Sequence, residues 1–161
     1  MFRFFKGKRQ RDLEFIKELV RASAEGDQRA QINRALGSEG IQLGHVPDST
    51  EYCIKAAASI VEIIMRRAGV DMQTASDNEK FTAGIFSFTA SNHISHIIGA
   101  EFEIVANISL LELFKRDDPL VVSETVPEIA EAFNNMSQYG RVIEAIGGNI
   151  VSWINKPTPD Q

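Results

Sequence analysis

The sequence predicts an all-α fold: a single-domain helical bundle of six or seven helices around a central apolar helix. Three observations carry this. Apolar residues recur at helical spacing in nearly every segment, the residues between segments are those that start and stop helices, and strand-like alternation is almost absent. A chain of 161 residues with 43% hydrophobic and 24% charged content fits one core. At this length folding removes roughly 70% of the extended surface from water, so neither a disulfide nor a metal is needed for stability.

The elements follow in order. Leu13, Ile16 and Val20 line one face of a first helix, Glu14/Lys17 and Glu18/Arg21 are spaced to pair on its surface, and Gly26 is expected to stop it. Asp27 then caps a shorter helix ending at Gly37, so that residues 12–36 form an N-terminal arm. The loop Gly37–Pro47 is the expected hinge, and residues 48–155 form the helical core. Asp48 and Glu51 make a capping box, Tyr52, Ala56, Ile60, Ile63 and Ile64 give a wide apolar stripe, and Arg66, Arg67 and Gly69 mark the end.

Ser76 and Glu79 make a second box, opening a helix expected to run to about Gly99, with a bent continuation to Arg116 as its open alternative. Asp117, Asp118 and Pro119 break it. Thr125 and Glu128 form a third box with Pro127 in the first turn, and Val126, Ile129, Phe133 and Met136 line that helix up to Gly140. Over residues 141–155, Ile143, Ile146, Ile150 and Trp153 share a helical face, while Gly147-Gly148 offers a hairpin turn; the helix is preferred. Residues 156–161 read as a flexible tail.

The net charge of −5 hides an asymmetry. Residues 1–11 hold Arg3, Lys6, Lys8, Arg9 and Arg11 with no acid, which leaves 12 basic against 22 acidic residues in the remainder. An acidic body argues against broad nucleic-acid binding. Phe2, Phe4 and Phe5 interleave with the cations of this basic aromatic tip, a chemistry suited to weak contact with an anionic membrane surface. The lone Cys53 has no disulfide partner in the chain and reads as a small core residue, and no secretory signal is visible, so a cytoplasmic setting is expected. His45 in the hinge loop has no adjacent catalytic partner.

The central helix carries two notable patterns. Ala83, Ser87, Ser91, Ser95 and Gly99 make a ridge of small side chains that permits close helix approach, while Phe81, Ile85, Phe86, Phe88, Ile94, Ile97 and Ile98 cover the other faces. Such a helix must be enclosed, either by its own chain or by a second copy. Asn92, His96 and Glu103 fall within about 40° of one another on a continuous helix and His93 about 60° further round, at about 100° per residue.

Those four residues are the candidate ligand-binding stripe. His93 and His96 are three apart where helical metal motifs use four, and no Glu-x-x-His motif accompanies them, so no metal site, catalytic residue or cofactor is assigned. The reading reached by elimination is a non-enzymatic α-helical interaction or small-ligand-binding protein acting as a homodimer. The alternatives are a metal-dependent helical enzyme using His93 and His96, and a peripheral membrane protein using residues 1–11.

Overall fold

The computed structural model describes residues 2–156, with side-chain surroundings for 9–135 and 138–156. The tail expected beyond Lys156 and the side chains of the phenylalanines at positions 2, 4 and 5 lie outside that description. The described residues form six helices: α1 (Phe2–Ser38), α2 (Ser49–Arg67), α3 (Asp77–Ile98), α4 (Phe102–Leu113), α5 (Pro119–Asn134) and α6 (Met136–Asn155). No strand occurs among the described residues.

The α3 helix is the centre, packing against each of the other five. Its ridge is buried from Ala83 through Ser95, and Phe88, Ile94 and Ile98 turn into the core. The apolar face of α2 meets it through Cys53, Ala56, Ala57 and Ile60, and α4 adds Val105, Ala106 and Leu110. Small residues at this three-helix junction let the backbones approach closely, which multiplies dispersion contacts. On the far side the rings of Phe88, Phe102 and Phe133 form an edge-packed trio with centroids 5.7–6.1 Å apart, tying α3 to α4 and α5.

Local signals set several of these ends. Asp48 accepts the Glu51 amide at 2.8 Å. Ser76 and Glu79 close a full capping box. Arg66 and Arg67 occupy the last turn of α2, where cations favour the helix dipole.

Three boundaries differ from those read in the sequence, and a fourth settles an open alternative. Gly26 does not stop α1; its φ is not in the left-handed region, and without that turn a glycine weakens a helix by about 1 kcal/mol without ending it. Gly99 does adopt the left-handed conformation, φ 92°, and its N–H donates to the Ser95 carbonyl at 2.7 Å, so α3 ends where the sequence reading placed its end, and the alternative of a bent continuation gives way to a separate α4. Asp117-Asp118-Pro119 is both a break and a start. Asp118 accepts the Leu120 amide at 3.0 Å and Pro119 takes the first helical position, so α5 begins before Thr125 and holds Pro127 in its interior. Finally, α5 ends at Asn135, whose side chain caps α6, and Gly140 lies within α6.

The 141–155 segment is helical, and its glycine has a packing reason. A Cβ at Gly147 would collide with Nε2 of His93 and sit 3.0 Å from its Cε1, so glycine lets α6 reach α3 without displacing the ring. Gly84 does the same for α5, since a Cβ would fall 2.5 Å from Cδ1 of Ile129.

Candidate functional site

The four stripe residues divide between helices. Asn92 and His96 share an exposed face of α3, one turn apart, and neither side chain hydrogen-bonds to another described residue. Glu103 lies beyond the Gly99 turn in the first turn of α4, also exposed, so the continuous stripe drawn through a single helix is not formed. His93 alone is half-buried, its ring laid against Gly147. Burial and the neighbouring His96 hold its pKa below the ordinary histidine value, which favours the neutral imidazole. Among the described residues no three His, Cys, Asp or Glu side chains gather closely enough to hold a metal ion.

Cys53 is enclosed between α2 and α3 with its Sγ 3.9 Å from the Ile94 carbonyl. Burial pushes the thiol pKa up to about 12, so it is protonated and unreactive at neutral pH. Three ridge hydroxyls, of Ser87, Ser91 and Ser95, are fully buried without a hydrogen-bond partner, as is the indole N–H of Trp153.

Two surface clefts are present. One of about 440 Å³ separates α2 from α6 and is lined by Ile60, Ile63, Ile64, Ile146, Ile150 and Trp153, with Arg67 and Lys156 beside them. The Arg67 guanidinium is already paired with Glu39. The other, of about 690 Å³, lies between the turn after α2 and the end of α4, where Arg66, Lys115 and Arg116 mix with Glu62, Asp71 and Asp117. No histidine or cysteine lines either, and Asn92 and Glu103 line neither.

The most distinctive surface is on α1, where the helix has two halves. Its C-terminal half is latched to the body. Arg29 donates to Glu25 at 2.9 Å, to the Ser49 hydroxyl at 3.1 Å and to the Val46 and Pro47 carbonyls, and its guanidinium sits 4.6 Å above the Tyr52 ring. Tyr52 in turn donates to Asn33 at 2.7 Å, and its phenol is pushed up to about 12 by burial. The hydroxyl of Ser49 and then Arg29 hold the Glu25 carboxyl below its ordinary pKa. Ile32, Ala35 and Leu36 are wholly buried, and Gln31 meets Asn155 of α6 at 2.6 Å.

N-terminal to Glu25 the helix leaves the body. Every side chain from Arg9 to Ala24 is exposed, including Leu13, Phe15, Ile16, Leu19 and Val20 at 54–64%. The Leu13/Ile16/Val20 face was legible in the sequence; that no described residue covers it was not. The Arg29 latch was missed: its i,i+4 spacing to Glu25 is local, but Val46, Pro47, Ser49 and Tyr52 lie across the loop and no local pattern marks them.

Comparison with protein-family models, curated proteins and solved structures found no match. No helix among the described residues is long and apolar enough to cross a membrane.

Proposed function

We propose that this chain is a non-enzymatic interaction protein whose working surface is the apolar stripe on the N-terminal half of α1. One observation carries the reading: five large apolar side chains stand in solvent on a helix that is firmly latched only at its other half. Scattered apolar residues on a surface are ordinary, but a continuous stripe along a projecting helix marks an interaction site. The helix itself points the same way, since helices draw most of their stability from burying an apolar face, and residues 9–24 bury none against the other described residues. The homodimer expected along α3 or the helix after it finds little open apolar surface on α3, which is enclosed by its own chain, and only Ile104 and Ile108 on α4; the longer stripe on α1 is the better candidate.

A photoreactive phenylalanine analogue placed at Phe15 or Leu19 tests this in living cells. Covalent adducts to a second macromolecule form from both positions, whereas the same probe at exposed Glu144 on α6 forms none. Absence of adducts from positions 15 and 19 overturns the reading.

A further inference from the structure

The partner that the bare half of α1 fits is a second copy of the same half, and this inference rests on the interaction surface proposed above. At about 100° per residue, Phe15, Leu19, Ile16, Val20 and Leu13 occupy one continuous arc of about 160°. The charged residues Lys17, Arg21, Glu14 and Glu18 lie opposite, while Arg9, one turn before Leu13, falls within the arc. An arc of that width seats another helix along its length. Residues 9–24 extend about 24 Å, or about four turns.

Two features of charge select the occupant and its direction. Residues 1–11 carry five cations and no acid, while residues 12–25 carry Asp12, Glu14, Glu18 and Glu25 against Lys17 and Arg21, and the rest of the chain has 10 bases against 18 acids. Parallel pairing would stack five cations on five. Antiparallel pairing lays the basic end of each copy along the acidic stretch and acidic body of the other. Asp12 falls inside the apolar arc, between Leu19 and Ile16. In an anionic membrane that carboxylate would enter the headgroup region facing like charge, whereas in an antiparallel pair it lies toward a partner carrying cations.

We propose that two copies dimerise by antiparallel pairing of the helical segments before Glu25, leaving the two bodies at opposite ends. Light scattering on the full chain then gives twice 17.9 kDa. The double variant Ile16→Glu/Val20→Glu weakens the dimer roughly 100-fold or more, with an unchanged melting temperature for the body, because both positions are exposed. Raising salt weakens the dimer, the sign required when opposite charges face each other. A spin label on Ala24→Cys in a Cys53→Ala chain reports a separation of roughly 30 Å for a pair centred near residue 14. A parallel pair gives about 10 Å.

A monomer at every concentration, a dimer that survives the double substitution, a dimer strengthened by salt, or a short label distance each overturns the proposal. If the chain stays monomeric but binds vesicles of anionic phospholipid through α1, the surface is right and the occupant is lipid. If the photoreactive probe at positions 15 and 19 also captures nothing, the interaction surface itself is refuted.

Discussion

Ile16 and Ile32 belong to the same helix, sixteen residues apart, and their surroundings are opposite. Ile32 is wholly buried where α1 meets the body, and Ile16 is 54% exposed on the projecting half. The same side chain in the same secondary structure therefore stabilises the folded chain in one place and is free to serve an external contact in the other. Helix formation and burial are separate events, and the second depends on what else arrives.

The largest test of that contrast is Ile32→Ala, expected to cost roughly 3 kcal/mol in chemical denaturation, since deleting a buried isoleucine loses transfer energy and leaves a cavity. Next is Arg29→Ala, expected to cost roughly 2 kcal/mol, because it strips charge-assisted hydrogen bonds from Glu25, Ser49 and two loop carbonyls. It also raises hydrogen exchange in residues 25–36, so that the latched half begins to resemble the bare one. Equal stability of the variant would remove the latch from the argument.

Ser91→Ala should run the other way. It removes a buried hydroxyl that has no partner, and a gain of about 1 kcal/mol is expected; a loss of stability would show that the hydroxyl is bonded in solution. His93 adds a pH test in the body where α3 meets α6. Its pKa is lowered in the folded chain, so the unfolded chain binds the proton more readily, and stability is full above the unfolded value near 6.5. It declines as pH falls below that value, and His93→Gln flattens this part of the profile. A profile unchanged by the substitution would place the titration elsewhere. The smallest effect is that of Ile16→Ala, within about 0.5 kcal/mol on unfolding of the body; a loss like that of Ile32→Ala would mean that the projecting half is covered within its own chain.

The helical class was legible because its signals are local. The Ser76–Glu79 box, the Asp48 cap and the Arg66-Arg67 end each act within one turn, and each does in the structure what its spacing predicts. The misread boundaries had competing local signals of similar strength. Gly26 and Gly99 look alike in sequence, but only Gly99 takes a left-handed φ, where the chain turns from α3 into α4. Thr125-x-x-Glu128 resembles a helix start, yet Asp118-Pro119 lies upstream and begins the helix first. The stripe of Asn92, His96 and Glu103 assumed one unbroken helix and so divided when the chain turned at Gly99.

By itself, the order of residues determined that this chain is helical, which stretches bear an apolar face, and that its leading end is basic while its body is acidic. The tertiary structure decided which of those faces are covered: it enclosed α3, set glycines against His93 and Ile129, latched α1 from Glu25 onward and left Leu13 to Val20 bare. The physical reason is range. Caps and helical periodicity are written in residues a few positions apart, whereas burial is settled by helices that lie far along the chain and meet only when it folds.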